Sequence, residues 1–98
     1  MENLWIATAE VAVQPGDMPS GDKLGFMRIT MWASSMEDFV LKLRAYLAEY
    51  QWILLSIENT EVVDPSKDYG DEANQMVQEA SQDRTAVRLG TYYSYKAN

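Results

Sequence analysis

The residue types best suited to chemistry in this chain are carboxylates: Asp64, Asp68, Asp71 and Glu72 crowd one short stretch, with Ser66 among them. Oxygen donors at that density suit Ca²⁺ or Mg²⁺. Their spacing is not that of an EF-hand loop, which needs glycine at its sixth position and glutamate at its twelfth. Counted from Asp64, those positions hold Tyr69 and Gln75. Composition does not exclude a carboxylate pair for glycoside chemistry, though nothing in the sequence places two acids across a cleft, but it does exclude cysteine- and histidine-based catalysis. With no cysteine and no histidine in 98 residues, there is no thiolate nucleophile, no Cys-ligated metal and no Ser-His-Asp arrangement. The glycines, Gly16, Gly21, Gly25, Gly70 and Gly90, never fall in a phosphate-loop spacing. Tyr92, Tyr93 and Tyr95 would act as acids only with strongly shifted pKa values, and cross-strand packing is their plainer use. The expectation is a protein that is not an enzyme, with no catalytic residue, no metal and no cofactor.

The same carboxylates have a second use as a charged surface. Between Gln51 and Asp83 the acids are Glu58, Glu61, Asp64, Asp68, Asp71, Glu72, Glu79 and Asp83, against Lys67 as the single base, so this segment holds the whole net charge of −7. Such a surface repels phosphates, so neither nucleic acid nor an anionic membrane is expected as a partner. It steers a basic protein instead and speeds the encounter. Glu58, Glu61, Asp64, Asp68, Asp71 and Glu72 are therefore the candidate partner-binding residues, in the manner of an inhibitor or immunity protein occupying a basic groove. A solvated loop and helix that keep an acidic protein soluble are the plainer alternative.

Aromatic residues supply the third candidate surface. Trp5, Phe26, Trp32 and Tyr92 stand on strand-like segments that carry apolar residues on both faces, more than a core-and-solvent strand needs. An apolar second face is an interaction surface by expectation, for a second copy of the chain as a homodimer or for a small ligand. Base stacking on such a platform is disfavoured by the acidic balance. The six methionines do not discriminate, since methionine serves both cores and interfaces.

These residues must be positioned by a regular framework, and the sequence outlines one. Residues 4–14 alternate as a strand through Trp5, Ala7, Ala9, Val11 and Val13, and 24–33 repeat the pattern through Met27, Ile29 and Met31. Between them lies a Pro- and Gly-rich loop, 14–23, which makes the pair an antiparallel hairpin. Ser34 and Glu37 read as a capping box that opens a helix over 35–50, with Phe39, Val40, Leu43, Tyr46 and Leu47 on one face. A strand over 51–63 follows, then a break at Asp64–Gly70 and a helix over 71–81 with Ala73, Met76, Val77 and Ala80 as its stripe. A last strand spans 84–95, with Thr85, Val87, Leu89, Thr91, Tyr93 and Tyr95 on one side, before a short tail at 96–98.

The order is ββαβαβ. The sequence therefore predicts one α+β domain over 1–98: a two-layer sandwich, ferredoxin-like in outline, with a four-stranded, mostly antiparallel sheet and both helices on one face. The amino terminus has no basic and apolar leader pattern, and the longest apolar runs are four residues, Leu4 to Ala7 and Trp52 to Leu55. A membrane helix needs about 20 residues, so a cytoplasmic protein is expected.

Overall fold

The computed structural model describes residues 1–18 and 21–95; Pro19 and Ser20 of the expected loop and the tail at 96–98 lie outside the described residues. Strands β1 (Asn3–Ala12) and β2 (Leu24–Ala33) pair antiparallel along their whole length, from Asn3↔Ala33 to Ala12↔Leu24. Helix α1 (Met36–Ala48) leads to β3 (Ile53–Val62), which pairs antiparallel with the other edge of β1. Helix α2 (Asp71–Ser81) follows, then β4 (Val87–Leu89) and β5 (Tyr93–Tyr95), both on the outer edge of β2. The sheet order is β3-β1-β2-β4, and the element order is the expected ββαβαβ of an α+β fold. Strands β2 and β3 run parallel with β1 between them, joined by α1 in a split β-α-β unit.

The helices flank the sheet and do not share one face of it. Ala7, Ala9, Val11, Met27, Ile29 and Met31, the odd positions of β1 and β2, form the main core with Phe39, Leu43 and Leu47 of α1. The even positions point the other way, and there Leu4, Ile6 and Thr30 are buried beneath the buried Ala73, Met76 and Ala80 of α2. The Trp32 indole N–H donates to the Ala80 carbonyl at 2.7 Å, fixing α2 on that side. The reason lies in β1 and β2 themselves: Leu4, Ile6 and Trp32 make one end of the second face apolar, and that end needs a cover of its own. The other end of this face stays open.

The expected last strand is broken in two. Leu89 pairs with Ile29 and Tyr93 with Phe26, registers that differ by one residue, so the chain bulges over 90–92. A one-residue slip reverses the faces. Val87 and Leu89 pack on the α1 side, whereas the Tyr95 ring lies 5.4 Å from Phe26 on the opposite face. Tyr92 turns back to the α1 side, where its hydroxyl donates to the Val11 carbonyl at 2.9 Å. Its ring occupies the space above Gly25, where a Cβ would come within 2.6 Å of it.

The helix ends follow local rules. The cap of α1 sits one residue later than the sequence suggests: Ser35 Oγ accepts from the Asp38 N–H at 3.1 Å, and Asp38 Oδ2 accepts from the Ser34 N–H at 2.8 Å. At its other end the Trp52 N–H reaches the Leu47 carbonyl and the Gln51 N–H the Ala48 carbonyl, a Schellman motif with Gln51 left-handed at φ 62°.

Two buried hydroxyls, those of Thr30 and Thr60, have no hydrogen-bond partner among the described residues. Thr30 is fully buried and its Oγ1 makes no hydrogen bond among the described residues. An unsatisfied buried hydroxyl costs about 1–3 kcal/mol. Thr30→Val keeps the shape and removes the hydroxyl, so it is expected to raise stability by about 1 kcal/mol in urea unfolding.

Candidate functional site

Three cavities lie along the second face beside α2, and Tyr69 lines all of them. The largest, about 610 Å³, is an apolar compartment between α2 and the chain after β3, lined by Leu4, Trp32, Val63, Pro65 and Val77 with Asp64 at its rim. The next, about 390 Å³, has Thr8, Phe26 and Arg28 from the sheet and Asp71, Glu72 and Tyr93 around them. The third, about 320 Å³, lies between Ile6, Thr8 and Arg28 of the sheet and Glu61, Lys67 and Asp68. Tyr69 is common to the walls of all three, so they lie side by side as a trough along the face that α2 only partly covers.

Tyr69 is held from four directions. Its hydroxyl donates to Glu61 Oε2 at 3.0 Å and accepts from the Asp64 N–H at 2.9 Å. Its N–H donates to Asn74 Oδ1 at 3.0 Å, and its carbonyl accepts from Arg28 Nη1 at 2.6 Å. The 64–70 segment is thereby fixed to β2, β3 and α2 at once. Lys67 adds an ion pair to Glu61 at 2.8 Å. Exposed, solvent-screened pairs of this kind contribute little, so the hydrogen bonds of Tyr69 set the geometry.

Of the acids expected to bind a partner, Glu61, Asp64, Asp68, Asp71 and Glu72 line these cavities and Glu58 does not, and the six divide into two kinds. Glu61, Asp64, Asp68 and Glu72 are engaged within the fold. Lys67, and then the Tyr69 hydroxyl, hold Glu61 below its ordinary pKa. Asp64 is lowered by the Ser66 hydroxyl and then the Ser66 N–H, and Asp68 by the Gly70 N–H and then the Asn74 amide. Glu72 is lowered by the Thr91 hydroxyl and N–H, which join the first turn of α2 to the bulge at 90–92. Glu58 and Asp71 are exposed and have no hydrogen-bond or ion-pair partner among the described residues.

The aromatic candidates are dispersed. Trp5 faces α1, with its ring 6.4 Å from Phe39 and its indole N–H on the Ala33 carbonyl at 3.0 Å. Trp32 lies on the second face against α2, with the Arg84 guanidinium 4.6 Å over its ring, and forms one wall of the apolar compartment. Tyr92 is on the α1 side. Of the four, Phe26 alone stands on the open half of the second face, beside Tyr93 and Tyr95. The single aromatic working face therefore does not form: β1 and β2 point Trp5 and Trp32 to opposite sides, and the bulge turns Tyr92 away from Tyr93.

Arg28 and Tyr69 are the site residues that the sequence did not mark. Arg28 sits mid-strand among apolar neighbours, and no carboxylate among the described residues pairs with it. An arginine inside a β-strand is a weak signal, but it was the one available. Among the described residues no three carboxylates converge closely enough to hold a metal ion, and no described helix is long and apolar enough to cross a membrane. Comparison with protein-family models, curated proteins and solved structures finds no match to this chain.

The depressed carboxylates carry a pH dependence. Glu61, Asp64, Asp68, Glu72, Asp38 and Asp83 all lie below their ordinary values of 3.8 for Asp and 4.5 for Glu. The unfolded chain therefore binds protons before the folded one does. The stability they contribute is complete above the unfolded values and is lost as pH falls through the folded ones. Urea midpoints are expected to stay level down to about pH 5 and to fall steadily below about pH 4. A midpoint unchanged at pH 3 would contradict these hydrogen bonds.

Proposed function

We propose that this chain is a non-enzymatic, cytoplasmic interaction domain that docks a basic protein on its second face and inhibits that protein by occupying its basic surface. One observation carries the reading: acids from β3, the 64–70 segment and α2 line adjoining cavities on one face, and hydrogen bonds there lower the pKa of Glu61, Asp64, Asp68 and Glu72. Preordered charge loses little side-chain freedom on binding, which favours recognition over mere solubility.

Capture of partners from the native lysate at low and at high salt tests this. Exposed charges are screened over about 10 Å at 0.1 M salt, so a basic partner is expected to be retained at low salt and released at high salt. Its own activity is expected to fall when the chain is bound. A second reading, self-association or small-ligand binding, draws on Phe26 and on Tyr93, which is 69% exposed beside it. Salt-indifferent retention of only further copies of the chain would favour that reading and overturn the first.

A further inference from the structure

The trough has two chemistries side by side, and the boundary between them falls at Asp64 and Tyr69. On one side is the compartment of about 610 Å³ walled by Trp32, Pro65 and Val77, where Lys67, the one cation among the described lining residues, is paired with Glu61; it is large enough for a bulky side chain and apolar enough to favour one. On the other side are carboxylates with capacity to spare. Asp64 accepts both the Ser66 N–H and the Ser66 hydroxyl on Oδ1, and Asp68 accepts the Gly70 N–H and the Asn74 amide on Oδ1. In each, Oδ2 has no described partner, so the carboxylate is oriented by one oxygen and presents the other.

Resting on the proposed docking function, we infer that the contacting part of the partner is a basic segment with one bulky aliphatic side chain. The aliphatic group seats between Trp32 and Pro65, and flanking lysine or arginine side chains meet Asp64 and Asp68. Charge complementarity selects this occupant. A second copy of a chain with net charge −7 would be repelled, and an acidic peptide would meet the same field. An aliphatic side chain without flanking cations would use the compartment and leave the two carboxylates unanswered.

The test uses three synthetic peptides at low salt: Ac-Lys-Lys-Leu-Lys-Lys-amide, the same peptide with serine for leucine, and Ac-Glu-Glu-Leu-Glu-Glu-amide. Binding is read by NMR from the assigned Trp32 indole N–H, whose bond to Ala80 gives it a distinct environment, and from the Val77 amide. The basic leucine peptide is expected to shift both resonances and to bind about tenfold more tightly than the serine peptide. The acidic peptide is expected not to bind. Val77→Glu, at a half-exposed helix position, is expected to erase the advantage of leucine and leave the fold intact. Equal, salt-sensitive binding of the two basic peptides would overturn the inference and leave acidic docking standing. No binding by either basic peptide, or binding by the acidic one, would overturn both.

Discussion

Phe39→Ala is expected to destabilise the chain by about 3–5 kcal/mol, enough to remove most of the stability of a domain this small. Phe39 is the largest of the fully buried side chains, at 0% exposure, and it stands where α1 meets β1 beside Trp5. Removing its ring deletes the apolar transfer gain and leaves a cavity that the β1–β2 hairpin, paired over ten residues, cannot collapse to fill. Since 1 kcal/mol moves the midpoint of a domain of this size by about 4–8 °C, a fall of roughly 12–40 °C in Tm is expected. Leu41→Ala, two residues further along α1 and 67% exposed, is the control. It is expected to stay within about 0.5 kcal/mol of the wild type. A Phe39→Ala variant as stable as Leu41→Ala would mean that α1 does not close the main core.

The main core was legible because two independent signals coincided on α1. Phe39, Leu43 and Leu47 repeat at helical spacing, and Ser and acidic residues stand just ahead of them. The alternation of β1 and β2 was legible for the same reason, since Ala7, Ala9 and Val11 share a parity with Met27, Ile29 and Met31 once the hairpin is closed. The side taken by α2 was not. Its stripe of Ala73, Met76 and Ala80 says that one face is buried but not against which side of the sheet. The clue lay elsewhere, in Leu4, Ile6 and Trp32, whose parity opposes the main core and which need a cover. The bulge at 90–92 left no mark of its own in the alternation of 84–95, because Val87, Leu89, Tyr93 and Tyr95 keep period two in number while changing face in space.

The site was half legible for a related reason. Charge is read directly from residue type, so the acids of the 58–72 segment stood out, but their partners are set by tertiary structure. Tyr69 reaches Glu61 across eight residues and Arg28 across forty-one, and Glu72 reaches Thr91 across nineteen. No local pattern contains those separations. They orient Glu61 and Glu72, whereas Asp64 and Asp68 are oriented locally by Ser66 and Gly70 two residues on, and Glu58 and Asp71 are the two without a structural task.

That division decides which substitutions test docking cleanly. Reversing Asp64 or Asp68 would remove the bonds to Ser66 and Gly70 and disturb the segment around Tyr69, so lost binding would have two explanations. Glu58→Lys with Asp71→Lys avoids this, because neither side chain has a described partner, and it changes the net charge from −7 to −3. Asp71 lines the trough from the first turn of α2, and Glu58 is the cross-strand partner of Thr8, which lines it from the sheet. The double variant is expected to lose only about 0.3–1 kcal/mol of stability, from the helix dipole at Asp71. Exposed ion pairs contribute about 0.2–1 kcal/mol each, and reversal replaces attraction by repulsion. Binding of a basic partner is therefore expected to weaken by about tenfold to a hundredfold at low salt, mostly through slower association. At high salt, where screening removes the long-range term, variant and wild type are expected to converge. Affinities measured for the same captured partner at both salt concentrations check this. A double variant that folds and binds as the wild type does at low salt would show that the acidic face is solvated surface and that docking, if any, uses another part of the chain.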